Sequence, residues 1–294
     1  MARRSATPGA EATVVIATRN RRGRLLATLD RLVDAHGSTP TIVVDNASTD
    51  GTPAAVRRRH PGVRVIVMEG DVGSAARTVG ARTAETELVA FSDDDSWWAP
   101  GALGKAATRF RRYPRLGLLA ARIVVEPGGR CDPTCAEMAN SPLPPDMPLP
   151  GPPVLGFVAC GAIVRRSAYL ECGGFHPRFG FGAEEQLLAI DLAAAGWGLA
   201  YADDVVAHHE PARGGRPGRD ARVVRNLLWS AWLRRPLPKA VGLTLELARR
   251  RDRRGMRAFA AALGGLGWVA RERRVVPPRV ERALTLLAEA QATP

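Results

Sequence analysis

Over its first hundred residues the chain alternates short runs rich in β-branched side chains with amphipathic stretches of helical period. Residues 13–17, 41–45, 63–68 and 88–92 read as strands, and 25–33, 53–59, 75–82 and 100–111 as the helices that follow them. Four such units at roughly 25-residue intervals predict an α/β fold with a Rossmann-like, mostly parallel sheet and helices on both faces. Ligands of such sheets bind beyond the carboxyl ends of the strands, so the polar residues that close each strand are the first candidates for chemistry.

Farther along, residues 116–125 and 154–166 read as strand regions. Between them, 126–153 holds 9 of the 23 prolines with little periodicity and reads as a long loop. A glycine-rich turn at 173–182 precedes a helical pattern at 183–195 and an extended one at 197–207. From 217 onward the pattern is helical, at 222–233, 240–250, 256–270 and 279–290, with Pro or Gly between the segments. The expected division is a flexible N-terminus (1–11), an α/β domain (12–212) and a C-terminal helical extension (213–294).

Charge sharpens that division. The 42 Lys and Arg exceed the 29 Asp and Glu by 13, and the last 82 positions, with 19 basic and 6 acidic residues, hold the whole excess. The basic helices are expected to pack on the α/β domain and to meet an anionic membrane surface, where each nearby Lys or Arg contributes about 1 kcal/mol. No recognised DNA or RNA motif accompanies the charge, so nucleic acid is not an expected partner. A length of 294 residues with 46% hydrophobic content excludes a disulfide mini-protein, a collagen-like repeat and a fully disordered chain. The four cysteines form no spaced framework. Cys131 and Cys135 lack a second Cys or His pair at zinc-ligand spacing and read as free thiols. No secretory leader is recognised, so a cytoplasmic location is expected, peripheral at the inner membrane face. Residues 147–164, the longest uncharged run near membrane length, carry five Pro and Gly in their first seven positions, which no spanning helix tolerates.

The strand ends offer Thr18-Arg19-Asn20 after the first strand, Asp45-Asn46-Ala47-Ser48-Thr49-Asp50-Gly51 after the second and Ser92-Asp93-Asp94-Asp95 after the fourth. The first two also suit plain turns and N-caps. In an extended chain Asp93 and Asp95 project together and Asp94 points away. Two carboxylates about 6 Å apart repel by roughly 2 to 3 kcal/mol at an effective dielectric of about 20. A divalent cation, Mg²⁺ or Mn²⁺ in an all-oxygen site completed by a diphosphate, would remove that cost.

These motifs, in this order, with 73–77 after the third strand and 161–175 ending in Gly-Gly-Phe, resemble a family 2 glycosyltransferase over about 195 of the 294 residues. The resemblance implies the GT-A fold and inverting, metal-dependent transfer of a sugar from a nucleoside-diphosphate donor to an acceptor hydroxyl, on a lipid-linked or cell-envelope glycan. It further implies that Thr18 and Asp45 contact the nucleoside, Asp45 facing the base, that Asn20 supports that loop, and that Arg77 lies near the nucleotide. Asp93 and Asp95 match the ends of the Asp-x-Asp motif as metal ligands, with Asp94 nearer the ribose. His208 matches a histidine that completes the metal site in some members, with His209 beside it as the competing assignment. Glu184-Glu185 stands where members carry an Asp or Glu-Asp pair opening a helix in the acceptor cleft, and Glu185 falls on the general-base position. The longer Glu side chain, and Asp191 where members often carry Arg, are departures. The proline-rich loop and the 173–182 turn are expected to order over the bound donor. Two rivals stand beside this reading. A sugar nucleotidyltransferase would be expected to carry a glycine-rich phosphate loop where this chain has Arg19-Asn20-Arg21-Arg22-Gly23, and a sugar-nucleotide-binding scaffold would bind without turnover.

Overall fold

The computed structural model describes residues 11–37, 39–211, 219–249 and 253–292. Residues 1–10 of the expected flexible N-terminus (1–11) and the junction at 212–218 lie outside the described residues. The elements run β1 (Ala12–Thr18), α1 (Arg22–His36), β2 (Thr41–Asp45), α2 (Thr52–Arg59), β3 (Arg64–Val67), α3 (Ala76–Thr83), β4 (Leu88–Asp93), β5 (Ser96–Trp98), α4 (Ala102–Arg112) and β6 (Leu116–Val125). They continue through β7 (Arg130–Cys131), α5 (Pro133–Ala139), β8 (Ala162–Arg165), α6 (Arg166–Glu171), α7 (Glu184–Ala194) and β9 (Gly198–His209). The chain ends in α8 (Arg219–Arg234), α9 (Leu237–Arg249), α10 (Arg253–Leu263), α11 (Leu266–Glu272) and α12 (Pro278–Ala292).

One nine-stranded sheet has the order β3-β2-β1-β4-β8-β6-β9-β5, with β7 paired to β6. The first four are parallel, with Val15 opposite both Ile42 and Phe91. Beyond β4 the sheet is mixed: β8 runs antiparallel to β4 and β6, β9 parallel to β6, and β5 antiparallel to β9. Alternate residues of β1, β2 and β4 feed two cores. Val15, Val44 and Phe91 pack on one face with α3, α6 and α7, and Ile16, Val43 and Ala90 on the other with α1, α2 and α4. Burial on both faces is why these strands read as unbroken apolar runs. Gly80 lets α3 lie directly on β1, since a Cβ there would sit 2.4 Å from Val15 Cγ1.

Three expectations change. Residues 154–166 form a strand only at β8; their earlier apolar side chains are buried in an irregular path closed by a 3-10 turn at Ala159–Gly161. The proline-rich stretch holds β7 and α5, where Asp132 caps the helix by accepting from the Thr134 N–H, and it sends Cys135 and Met138 into the core. The helix expected at 256–270 is two, broken where a Cβ on Gly265 would meet Trp229 Nε1 at 2.5 Å.

The C-terminal helices dock through Phe179 and Leu187, which pack with Leu228, Trp229, Leu233, Trp268 and Val269. Trp229 and Trp268 meet edge to face at 5.1 Å, a geometry adding about 0.5 to 1.5 kcal/mol beyond area burial. Among the described residues no helix is long and apolar enough to cross a membrane, and all four cysteines are free thiols.

Candidate functional site

Parallel register brings the flagged strand ends together. Thr18 lies beside Asp45, and Ala17 beside Asp93. Asp45 is fully buried; its Oδ2 accepts from the Ser48 N–H at 2.8 Å, while Oδ1 has no partner. Asn20 ties the first loop to the second: its Oδ1 accepts from the Thr49 N–H at 2.8 Å and its own N–H donates to Ser48 Oγ at 2.8 Å. Asn46 links the second loop to the next, accepting from the Val72 N–H and donating to the Gly73 carbonyl. Among the described residues, the non-glycine residues with left-handed backbone are Asn20, Ala47 and Ala183. All three sit in loops at this edge. Such conformations cost of order 1 to 3 kcal/mol each and cluster where a fold holds a site.

Arg77, in the first turn of α3, donates from Nη2 to Asp93 Oδ1 and lies 5.6 Å from the Phe175 and Phe181 rings. Its Nε and Nη1 are buried without partners. Burial works against its charge, but the carboxylates of Asp93, Glu184 and Glu185 outweigh that and hold it protonated. Ser74 Oγ is likewise buried and unpartnered.

The three aspartates separate as alternation predicts. Asp94 turns inward, accepting from Thr18 Oγ1 at 2.9 Å and pairing with Arg21 Nη1 at 2.7 Å. Burial pushes its carboxyl up to about 6. Asp95 takes Arg21 Nη2 at 2.7 Å and has His209 Nε2 at 3.5 Å. Burial opposes its ionisation, yet His209 and Arg21 together hold it below the usual carboxylate range. The repulsion assigned from sequence to a cation is thus met in this structure by Arg21, Arg77 and His209.

The structure brings His209, not His208, to the acids. Across β5, Ser96 faces His209 and Trp97 faces His208, and adjacent strand residues point to opposite faces. His208 stacks on Trp97 at 5.3 Å, with Nδ1 3.1 Å from Glu126 Oε1. His209 is desolvated, but Asp95 and Asp93 raise its pKa above the ordinary value. The expected all-oxygen site also changes: Asp93, Cys160 and His209 each offer a ligand atom, and these atoms lie within 4.8 Å of one another. An O, N and S donor set of this size fits a divalent cation.

At the start of α7, Glu184 is buried and its carboxylate accepts from the Gly182 N–H. Glu185 is half-buried. Burial first, and then the Glu184 charge, push its carboxyl up to about 8. Its field reaches both Arg77 and Cys160. A carboxyl that titrates near neutrality beside a buried arginine can exchange a proton with a bound hydroxyl. The 173–182 turn between these groups is fastened from both sides: the Ser74 N–H donates to the Gly180 carbonyl at 3.2 Å, and Asn226 Nδ2 donates to the carbonyls of Phe179 (2.9 Å) and Gly182 (2.5 Å).

Sequence reasoning missed Arg21, Cys160, Ser74 and Asn226. Arg21 was visible as part of the first strand-end loop. Cys160 and Asn226 carried no spacing signal, because their neighbours at the site come from distant segments.

Comparison with known proteins gives the following similarities. The sequence model described as "Glycosyl transferase family 2" matches residues 13–173. The chain is 27% identical over 227 residues, 66% of its own length and 73% of the relative's, to an N-acetylglucosaminyl-diphospho-decaprenol L-rhamnosyltransferase of Mycobacterium tuberculosis. Its fold is similar to that of mannosyltransferase PcManGT from Pyrobaculum calidifontis, solved with GDP-Man and Mn²⁺ (TM-score 0.56, 19% identity, covering 96% of this chain and 87% of that one). It is also similar to S. aureus TarS 1-349 in complex with UDP-GlcNAc (TM-score 0.59, 18% identity, 96% and 87%).

Proposed function

The chain belongs to glycosyl transferase family 2 and has the GT-A fold, and from that premise we propose that it is an inverting enzyme moving a sugar from a nucleoside-diphosphate donor to a hydroxyl of a lipid-linked glycan. The observation that carries this reading is a set of buried, unpartnered polar atoms at one sheet edge: Asp45 Oδ1, Ser74 Oγ, and Arg77 Nε and Nη1. Leaving such groups unmade costs about 1 to 3 kcal/mol each, more when charged, and a nucleoside diphosphate satisfies them. Asp45 accepts from the base, Thr18 and Asp94 line the ribose side, and Arg77 binds a diphosphate oxygen. Asp93, Asp95 and His209 would hold a divalent cation, Mn²⁺ or Mg²⁺, which supplies positive charge to the diphosphate when bound.

Glu185 takes the proton of the acceptor hydroxyl. The oxygen attacks the anomeric carbon from the face opposite the departing diphosphate, and configuration inverts. Arg77 stabilises the charge that grows on the leaving group, an effect worth several kcal/mol in a dry site. Glu184, already bound to the Gly182 N–H, keeps Glu185 at the mouth of the helix. A lipid-linked acceptor is supported by the name of the mycobacterial relative and by the C-terminal helices. On α9, Leu237, Val241 and Leu245 recur every fourth residue and are 64%, 52% and 49% exposed, in the region that holds the entire charge excess. An apolar stripe on a helix that also carries Lys239 and Arg249 suits the headgroup region of an anionic bilayer.

The test is a thermal-shift panel of UDP, GDP and dTDP sugars with and without Mn²⁺, followed by transfer assays on the donor that binds. Glu185→Gln is expected to keep donor binding and abolish transfer. Retained transfer removes the base assignment, and failure of every donor to bind removes the reading. Flotation with anionic but not neutral vesicles, lost at high salt, tests the membrane surface.

A further inference from the structure

We infer that Cys160 is a cation ligand, so that the site is a mixed carboxylate, imidazole and thiolate centre that selects thiophilic divalent ions over Mg²⁺. This rests on the reading that a divalent ion binds beside the aspartates; what is new is the sulfur donor and the selectivity it imposes. Three side chains from separate segments converge. Asp93 ends β4, His209 ends β9, and Cys160 lies in the 3-10 turn before β8, all with ligand atoms within 4.8 Å of each other. On one tetrahedral ion, at about 2.0 to 2.3 Å from each ligand, such atoms stand about 3.5 Å apart. The observed spacing is thus up to about 1.3 Å wider than that, a gap that rotation of the three side chains would have to close.

The surroundings distinguish this thiol from the other buried one. Cys135 is engaged with the backbone of Ile123, whose N–H donates to its sulfur at 3.2 Å. Cys160 is buried beside Asp93, Asp95, Glu185 and Arg77; burial and the three carboxylates hold its thiol well above the ordinary value, with Arg77 opposing them, so a bound divalent ion would have to supply the charge that deprotonates it. Arg77 holds Asp93 Oδ1, and a carboxylate carries a second oxygen for the ion. Coordination replaces the S–H bond by a metal–sulfur bond and releases the proton to solvent. Mg²⁺ demands oxygen ligands in near-octahedral array. A site with one sulfur and one nitrogen donor instead favours Co²⁺, Zn²⁺ and Cd²⁺, with Mn²⁺ between them and Mg²⁺.

The experiment titrates the full chain with Co²⁺ alone and follows the near-ultraviolet thiolate-to-cobalt charge-transfer band, with UDP and Mn²⁺ thermal shifts run in parallel. The wild type is expected to develop the band at one equivalent. Cys131→Ser and Cys172→Ser are expected to keep it. Cys160→Ser is expected to lose it and to bind Co²⁺ and Zn²⁺ at least about 10-fold more weakly, while its Mn²⁺ affinity changes less than about threefold. Co²⁺ bound by the wild type without the band, or a band that survives Cys160→Ser, overturns the inference and leaves the cation reading standing. Failure of the wild type to bind either Co²⁺ or Mn²⁺ in the presence of UDP removes the cation reading itself. The wild-type spectrum decides the matter even if Cys160→Ser folds poorly.

Discussion

With Glu185 as the proposed base, the pH dependence of transfer is expected to follow its titration. Desolvation at the start of α7 and the adjacent Glu184 carboxylate push its carboxyl up to about 8. A base must be ionised to accept a proton, so at pH 7 roughly one molecule in ten is competent, and at pH 9 roughly nine in ten. With saturating donor and acceptor, kcat is therefore expected to rise about 10-fold between pH 7 and 9, with unit slope on the acid side and a plateau above. Arg77 shares the field of both glutamates and stays charged throughout, so it adds no inflection in that range. Glu184→Gln removes the like charge that raises Glu185, and the inflection is expected to move to lower pH while the plateau is kept. The assay is continuous release of nucleoside diphosphate from the donor identified by thermal shift. A profile flat between pH 6 and 9, or an inflection that stays in place in Glu184→Gln, refutes the reasoning from burial and like charge.

Four further outcomes are expected. Asp45→Ala removes the buried acceptor proposed to meet the nucleoside base, and donor affinity should fall about 10-fold or more with little loss of Tm; unchanged affinity places the base elsewhere. His209→Ala should abolish the Mn²⁺-dependent part of UDP binding, whereas His208→Ala, which loses only the stack on Trp97 and the Glu126 contact, should retain it; the reverse pattern would restore the sequence assignment. Stability should peak near pH 5 and fall toward pH 8.5 in apo protein. Glu185 at about 8, Asp94 at about 6 and His209 above its ordinary value all bind protons more tightly folded than unfolded, so their contribution is complete below the unfolded values and disappears as pH rises through the folded ones. Differential scanning fluorimetry showing a Tm that climbs over that interval contradicts those shifts. Finally, if residues 126–153 close over the donor, UDP with Mn²⁺ should protect them from limited proteolysis, and equal cleavage with and without ligand argues against a lid.

Much of this architecture is legible in the sequence. The bounds of β2 and β6 match the sequence expectation residue for residue, because their β-branched and apolar runs are buried on both faces. The strand-end loops were readable as a set, since each alone also suits a plain turn or N-cap but their order after successive strands marks one sheet edge. What stayed hidden depends on pairing between distant segments. β5 is three residues long and has no period of its own; it exists because Ser96, Trp97 and Trp98 pair with β9. That pairing fixes which face each histidine takes, so the choice between His208 and His209 could not be made along the chain. Residues 154–161 misled for the converse reason: their hydrophobicity reports burial, which a strand and an irregular core segment share.

Asp191 shows how the C-terminal helices belong to the site as well as to the surface. Its carboxylate is bound by the Arg234 guanidinium of α8. The same helix sends Asn226, fully buried, to the carbonyls of Phe179 and Gly182, and the Gly182 N–H in turn holds Glu184. A chain of hydrogen bonds thus runs from α8 through the turn to the residue beside the proposed base. Left-handed Ala183 sits at its end, in a conformation unfavourable by itself and stable only because its neighbours are fixed on both sides. The matched family region ends at residue 173, before any of these groups. The geometry of Glu185 therefore depends on a helix outside that region, α8, whose Arg234 pairs with Asp191 on α7.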